Sequence, residues 1–302
     1  MTADAYRSGF VAVVGRPNVG KSTLVNALVA EKISIVSPKP QTTRHSILGI
    51  LSRDDSQIIF VDTPGMHEPG KKLINRTMVK SAGASLIGAD MALFVVEGTG
   101  WRRGDDFVLE RLKESGVPAL LVVNKLDSIR PRDAVLPFLE QCASRCKGME
   151  IVPVSALTGD NLLALLTLIR ARLPEGPPLF PVDVKTDRGA EFRIAEVIRE
   201  KLLLALRQEV PYGLAVAVQA MERRDDLLLA DVVIWADRSS HQGMVIGRGG
   251  QVLKKIGSEA RQDLERIFGH RVHLETRVKV KENWSDSAAA MRQLGYEEPR
   301  ES

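Results

Sequence analysis

Gly15-Arg16-Pro17-Asn18-Val19-Gly20-Lys21-Ser22 follows an apolar run at residues 10–14 and opens a helical pattern. The stretch fits G-x-x-x-x-G-K-[ST] at every fixed position. Its glycines allow the loop to curl, so that backbone N–H groups and the helix N-terminus face phosphate oxygens. Lys21 is predicted to reach the β- and γ-phosphates, and the Ser22 hydroxyl to ligate Mg²⁺. The predicted nucleotide contacts of this loop are Gly15, Asn18, Val19, Gly20, Lys21, Ser22 and Thr23.

Apolar runs alternate with helical periodicity over the first 173 residues. The predicted strands are residues 10–14, 58–62, 91–96, 119–124 and 151–154, and the predicted helices are 21–30, 73–88, 105–115, 132–145 and 161–173. This alternation favours an α/β fold with a mostly parallel sheet and helices on both faces. Residues 46–52 are predicted to add an antiparallel edge strand, joined by a hairpin to residues 58–62.

The composition changes at residues 173–181, LPEGPPLFP, where four prolines and a glycine exclude a helix or a central strand. We predict a linker there. Beyond it the predicted elements are a helix (191–207), two strands (214–221 and 228–236), a glycine-rich turn, a helix (252–268) and a strand (272–280). They indicate a small α+β domain. The predicted division is therefore 8–172 for the first domain, 173–181 for the linker, 182–282 for the second domain and 283–302 for a C-terminal tail.

Asp62-Thr63-Pro64-Gly65 ends the second predicted strand of the parallel sheet. An aspartate at a strand end can hold Mg²⁺ opposite Ser22. Gly65 allows the backbone to approach the γ-phosphate, so that the following loop can sense it.

Asn124-Lys125-Leu126-Asp127 follows a later strand and indicates which base is bound. The Asp127 carboxylate can accept hydrogen bonds from N1–H and the 2-amino group of guanine, which adenine does not offer. Asn124 is predicted to tether the loops, and the Lys125 stem to cover the ring. A backbone donor to guanine O6 is predicted from Ser155, Ala156 and Leu157. The predicted substrate is GTP.

Composition and charge limit the classes of protein. The chain has 302 residues, 44% hydrophobic and 26% charged, which favours two packed domains. No apolar run reaches about 18 residues, so we expect a soluble protein. Cys142 and Cys146 lack partners at metal-ligand spacing. Residues 241–281 carry nine Lys/Arg against four Asp/Glu, a local excess above the +4 of the whole chain, which favours a polyanionic partner.

Gly247-Arg248-Gly249-Gly250 lies between two apolar helical stretches, with Lys254-Lys255-Ile256-Gly257 after it. The segment resembles a KH domain, which clamps about four nucleotides of single-stranded RNA over a G-x-x-G loop. Arg248 would supply charge for phosphate, and Val245, Ile246 and Ile256 would form an apolar groove for bases. The predicted RNA-binding residues are Val245, Ile246, Gly247, Arg248, Gly249, Gly250, Lys254 and Lys255.

The motifs also carry a family resemblance. Residues 10–172 resemble the GTPase branch that includes Era and the tRNA-modifying GTPase MnmE, and Gln41-Thr42-Thr43-Arg44 matches the Thr-Thr-Arg signature of its first switch loop. By resemblance Thr43 is the preferred Mg²⁺ ligand, with Thr42 second. Over residues 8–296 the chain resembles the Era family. That likeness implies a type II KH domain, binding of the 16S rRNA 3′ end, a role in 30S subunit assembly, and a monomeric cytoplasmic protein with peripheral contact to the inner membrane.

Hydrolysis must proceed without a glutamine, because Met66 occupies the position after D-x-x-G where many GTPases have one. The chain thus resembles a subgroup of GTPases in which an apolar residue replaces this glutamine. Members of the subgroup that have Asn at the fourth position of the phosphate loop use K⁺. Asn18 matches, and K⁺ held by Asn18 and switch-loop carbonyls would replace an arginine finger. The predicted catalytic residues are Lys21, Asn18, Thr43 and Gly65; His67 is disfavoured as a base.

Two functional hypotheses remain open. In one, GTP binding and hydrolysis switch the docking of the domains and the exposure of the RNA surface. In the other, the protein is an assembly factor that senses the nucleotide with negligible turnover, which Met66 leaves open. A tRNA-modifying role lacks support, because the chain has no C-terminal cysteine signature.

Overall fold

The structure, a computed structural model, describes residues 5–68, 72–207 and 210–296. The elements of the first half are β1 (Arg7–Val14), α1 (Lys21–Val29), β2 (Ile47–Arg53), β3 (Ser56–Asp62), α2 (Leu73–Ala84), β4 (Met91–Glu97), α3 (Arg103–Ser115), β5 (Ala119–Asn124), α4 (Val135–Arg145), β6 (Glu150–Pro153) and α5 (Leu162–Arg172). Those of the second half are α6 (Ala190–Ala205), β7 (Leu214–Arg224), β8 (Leu227–Ala236), α7 (Ser239–Ile246), α8 (Gln251–Phe268), β9 (Arg271–Val280) and α9 (Ala288–Gln293).

The first half forms a six-stranded sheet in the order β2-β3-β1-β4-β5-β6. Neighbouring strands are parallel except for the antiparallel pair β2 and β3, so the predicted edge hairpin is confirmed. Apolar clusters cover both faces of the sheet. Because parallel strands end at the same edge, the loops after β1, β3 and β5 meet there, which is where ligands bind in open α/β sheets.

The second half packs its helices on a three-stranded sheet in the order β7-β8-β9. β7 and β8 are antiparallel, whereas β8 and β9 are parallel. The apolar stretch before the glycine-rich loop forms a helix of its own, α7. It completes an α-β-β-α-α-β order, as expected for a type II KH fold.

The segment between α5 and α6 lies along the edge of the first sheet. The Gln57 side chain accepts the N–H groups of Leu179 and Phe180 and donates to the Phe180 carbonyl. Further on, Ile50 N–H donates to Lys185 O at 2.8 Å. The connection thus extends from the predicted proline-rich linker to Gly189, the residue that caps α6.

Residues 284–296 are wedged between the two halves. Trp284, Met291 and Tyr296 form an apolar cluster with Ile74 and Met78 of α2. The Trp284 indole also donates to Gly213 O at 2.9 Å. The C-terminal segment therefore joins the two domains. Across the described part of the chain, no helix has the length and apolar character to cross a membrane.

Candidate functional site

Residues of neighbouring loops approach the phosphate loop closely. Gly20 has a φ of 95°, and a Cβ there would lie 2.4 Å from Asn124 Nδ2. Gly65, from the loop after β3, approaches so closely that a Cβ would lie 2.7 Å from the Pro17 backbone nitrogen. Only glycine fits both positions. The cavity beside this loop has a volume of about 310 Å³ and is lined by the phosphate loop, residues 35–38 and 41–43, Gly65 and Lys125.

Lys21 is the first residue of α1, directly after Gly20 of the phosphate loop. Its buried ammonium donates to the carbonyls of Gly15 and Arg16, each at 3.1 Å. Burial lowers the pKa of Lys21 to about 8, because the charged form loses hydration that nearby Asp62 only partly replaces. A phosphate oxygen that enters the loop would favour the charged ammonium and so raise the pKa of Lys21 again.

Three predicted magnesium ligands meet beside Lys21. Ser22 Oγ lies 2.8 Å from Thr43 Oγ1. Asp62 is fully buried, neither of its carboxylate oxygens accepts a hydrogen bond of ordinary geometry from the described residues, and burial raises its pKa although the nearby Ser22 and Ser34 hydroxyls and Lys21 oppose the rise. An unpaired buried carboxylate next to two hydroxyls fits a hard divalent cation.

Between the two candidate threonines, the geometry favours Thr43. Thr42 Oγ1 donates to Lys39 O at 2.7 Å and lies 2.6 Å from Ser37 Oγ, so its hydroxyl is engaged within its own loop.

The side chains of Thr63, Met66 and His67, on either side of Gly65, do not line the cavity. Met66 N–H donates to Gly15 O at 3.0 Å, while its side chain is 2% exposed and packs in the core under α2 and α3. Thr63 Oγ1 donates to Val13 O. His67 Nδ1 lies 2.8 Å from Glu68 O, a local contact. Met66 and Thr63 therefore offer no free group to orient a water molecule, whereas His67 Nε2 is buried without a hydrogen-bond partner among the described residues.

The base-recognition residues form a second connected group. Asn124 donates to Val19 O at 2.9 Å and accepts from Ala156 N–H at 3.0 Å, so it tethers the loops as predicted from its place in the motif. That bond engages one candidate donor to guanine O6. Asp127 accepts from Ser155 Oγ at 2.5 Å, which lowers its pKa and keeps it ionised. Leu157 is exposed at the rim.

An ion-pair network, missed by the sequence reasoning, joins the phosphate and base loops. Arg16 pairs with Glu97 at 2.7 Å and with Asp105 at 3.2 Å, and Glu97 also pairs with Lys125 at 3.0 Å. Although Glu97 is partly buried, these cations hold its pKa below its usual range. A charged residue at the end of β4 was the sole sequence signal.

The loop that carries Thr43 is held by the second domain. Arg199, buried in α6, donates to the Thr42 carbonyl. The Arg44 guanidinium donates to Leu214 O at 2.8 Å and Tyr212 O at 3.1 Å. We call these contacts the switch clamp, defined by Arg199 and Arg44. Thr43 thus lies between two residues fixed by the second domain.

The glycine loop of the second domain joins α7 to α8. Its three glycines have positive φ, and Arg248, Lys254 and Lys255 are exposed around it, as a phosphate-binding surface requires. The predicted apolar groove is wrong in part. Val245 and Ile256 are 0% and 1% exposed within the core, and of the three proposed residues only Ile246 is partly accessible.

The groove that is accessible to solvent lies on the side of α8 that faces β9. A cavity of about 400 Å³ opens beside the loop, between α8 and β9. Its lining residues are Gly250, Leu253, Lys254, Gly257, Ser258, Arg261, His273, Leu274 and Thr276. Leu253 and Leu274 provide apolar surface, and Arg261 adds charge. The i, i+4 spacing of Leu253 and Gly257 was the signal that could have indicated this face.

Comparison with known proteins gives full-length matches. The family described as 50S ribosome-binding GTPase matches residues 10–125, and the KH domain family matches residues 209–285. GTPase Era of Trichlorobacter lovleyi is 45% identical, covering 98% of this chain and 100% of that protein. GTPase Era of Stenotrophomonas maltophilia is 44% identical, covering 97% and 98%.

Two crystal structures match over nearly the whole length. One is a variant of Aquifex aeolicus Era bound to GDP and AlF4⁻, the other Era in complex with MgGDPNP and nucleotides 1506–1542 of 16S ribosomal RNA. Each has a TM-score of 0.93 and 42% identity, covering 96% of this chain and 99% of the other.

Proposed function

The chain belongs to the Era family of GTPases, and we propose that it is a switch that binds the 3′ end of 16S rRNA through its KH domain and acts in 30S subunit assembly. The observation that carries this proposal is the switch clamp. Arg199 and Arg44 connect the loop of the proposed magnesium ligand Thr43 to the domain with the G-x-x-G loop. A related complex with a GTP analogue and a 16S rRNA fragment supports the choice of partners.

The proposed nucleotide site combines the phosphate loop with the base loops. Gly15, Asn18, Val19, Gly20, Lys21, Ser22, Thr23, Asp62, Gly65, Asn124, Lys125, Asp127, Ser155, Ala156 and Leu157 are its proposed contacts. Lys21 would neutralise charge on the transferring phosphoryl group, and the Gly65 backbone would sense the γ-phosphate. Asp127 would select guanine, since its ionised carboxylate needs two N–H partners once buried by the base.

Ser22, Thr43 and Asp62 would hold Mg²⁺. The ion would supply positive charge between the β- and γ-phosphates. The protein's own contribution is to bring two hydroxyls and one unpaired carboxylate together before the ligand arrives.

Potassium is the proposed substitute for an arginine finger. Asn18 Nδ2 donates to Pro38 O at 2.8 Å, which brings a phosphate-loop amide against a switch-loop carbonyl. These are oxygen-bearing groups of the kind that a K⁺ ion needs. The GTP turnover number should fall at least severalfold when Na⁺ replaces K⁺ at constant ionic strength, and equal rates in the two salts would contradict the proposal.

The deciding experiment measures GTP hydrolysis in K⁺ buffer, with and without a single-stranded RNA that matches the 3′ end of 16S rRNA. A scrambled RNA is the control. Binding together with faster turnover supports the switch. Binding with turnover near zero supports instead the second candidate, a nucleotide-sensing assembly factor, which the inward-facing Met66 favours. No RNA binding would overturn the proposed role of the KH domain in binding the 16S rRNA 3′ end.

Coupling through the switch clamp has its own test. Arg44→Gln removes the donors to the carbonyls of Leu214 and Tyr212 but leaves Arg199, so RNA should change the rate severalfold less than in the parent protein although both ligands still bind. Arg53→Gln, at an exposed arginine of β2, is the matched control. RNA stimulation equal to that of the parent protein in Arg44→Gln would show that coupling takes another route.

The proposed domain division is the predicted one, 8–172, 173–181, 182–282 and 283–302, except that the connection after residue 173 continues to Gly189, so the second domain would begin at α6. We further propose a monomer in the cytoplasm with peripheral contact to the inner face of the cell membrane, on the family likeness alone. Light scattering tests the monomer. Sedimentation with anionic phospholipid vesicles tests the membrane contact.

A further inference from the structure

A cavity that the nucleotide and RNA sites do not use lies between α2 and α3. Its volume is about 390 Å³, within the range of small-molecule sites. Its walls are formed by Met66, Arg76, Val79, Lys80, Gly83, Phe107 and Arg111. Met66, Val79 and Phe107 supply an apolar floor, and the long cationic side chains add their apolar stems.

The rim of this cavity is positive. Arg76, Lys80 and Arg111 all line it, and its lining contains no acidic residue. Arg111 lies over the Phe107 ring at 5.6 Å and pairs with Glu114. Arg76 and Lys80 are exposed and make no ion pair with the described residues. Two cations at an apolar cavity thus retain unused donors.

Gly83 forms part of the wall of the cavity. It lies near the end of α2, and a Cβ placed there would meet no atom within 4 Å. Its conformation is helical, so backbone geometry does not require glycine. The absence of a side chain leaves open space at this lining position, although alanine is preferred over glycine within a helix.

We propose that this cavity binds an amphipathic organic anion: an apolar body against Met66, Val79 and Phe107, and a carboxylate or phosphate head paired with Arg76 and Lys80. The combination of an apolar floor and a cationic rim indicates this class of ligand. A neutral apolar ligand would leave the cations of the rim unpaired, and a small inorganic anion would leave the apolar floor exposed to water. The lining of this site includes none of the proposed nucleotide or RNA contacts.

The position of Met66 connects this site with the nucleotide. Met66 lines the cavity, and its backbone N–H donates to Gly15 O of the phosphate loop. Gly65, one residue earlier, contacts Pro17. A nucleotide that moves this strand end changes one wall of the cavity, so anion affinity should differ between the GDP-bound and GTP-analogue-bound protein.

The test uses the full chain with Mg²⁺ and GDP, and 1-anilinonaphthalene-8-sulfonate as the fluorescent anion. Gly83→Leu fills the cavity and should weaken probe binding at least tenfold. Gly83→Ala is the matched control and should bind within about twofold of the parent protein. Circular dichroism and GDP affinity establish that both variants are folded. Probe binding by Gly83→Leu equal to that of the parent protein would overturn the site.

Competition tests the chemistry of the ligand. Octanoate should displace the probe at a concentration at least fivefold lower than 1-octanol, and Arg76→Gln with Lys80→Gln should remove that preference. Equal displacement by the acid and the alcohol would overturn the anion requirement. The titration is then repeated with a non-hydrolysable GTP analogue. A change of twofold or more supports the coupling through Met66, and equal affinities overturn it.

Discussion

The phosphate loop and the G-x-x-G loop are both glycine-rich loops that precede a helix, but their surroundings differ. Each ends in a glycine with positive φ that caps a helix, Gly20 before α1 and Gly250 before α8. The phosphate loop is enclosed by three other loops, whereas the middle of the G-x-x-G loop is open. The cation of the first, Lys21, is buried, whereas Arg248 of the second is exposed.

This difference implies different kinds of binding. A buried cation in a low-dielectric loop interacts strongly with one phosphate arrangement. Exposed cations are screened by salt and follow a backbone of variable sequence. We therefore expect the first loop to provide tight, specific binding, and the second to provide graded, salt-sensitive binding.

The largest expected effect comes from Lys21→Met. Removal of charged hydrogen bonds to phosphate costs on the order of 3 kcal/mol, so GTP affinity should fall about 100-fold. RNA affinity without nucleotide should stay unchanged. Equilibrium titration with a fluorescent GTP analogue measures the first quantity, and a similar affinity in the variant would show that the loop backbone alone holds the phosphates.

Replacing a glycine by alanine should destabilise the protein more in the phosphate loop than in the G-x-x-G loop. Gly20→Ala places a Cβ against Asn124 at a positive φ, and should lower the free energy of unfolding by about 2–4 kcal/mol. Gly249→Ala meets no atom within 4 Å, so it should cost only about 1 kcal/mol for its left-handed backbone. Urea denaturation measures both values. Gly249→Asn is the matched control, because asparagine tolerates this conformation.

GTP affinity should depend on pH above 8. The pKa of Lys21 is about 8 in the free protein, and phosphate favours the charged form, so binding at higher pH must take up a proton. The affinity should be flat from pH 7 to 8 and then fall by up to about tenfold per unit. Lys21→Met is the control that should lack this fall; its presence in the variant would assign the dependence to another group.

The smallest effect is expected from Arg248→Gln. Loss of one exposed phosphate contact should weaken RNA binding severalfold at low salt and reduce the salt slope by about one unit. GTP affinity should not change. Filter binding at several KCl concentrations measures the slope; a loss independent of salt would indicate a base contact instead of a phosphate contact.

The parts of the site whose chemistry and spacing are local along the chain could be predicted from the sequence. The phosphate loop, D-T-P-G and N-K-x-D each follow a strand of a predicted parallel sheet, so their meeting at one edge could be anticipated. The G-x-x-G loop was located by the two apolar helical stretches that flank it. The apolar groove beside it was partly wrong, because Val245 and Ile256 have the hydrophobicity that suits either a base-binding groove or the core.

By itself, the sequence determined which residue types stand at each strand end and therefore the class of ligand, because side-chain chemistry and backbone preference depend on residues close along the chain. Only the tertiary structure decided what holds these loops in place. Arg199 reaches the Thr42 carbonyl across 157 positions, and Arg16 reaches Asp105 across 89. No local pattern encodes such pairs, since they exist only after separate elements have packed against one another.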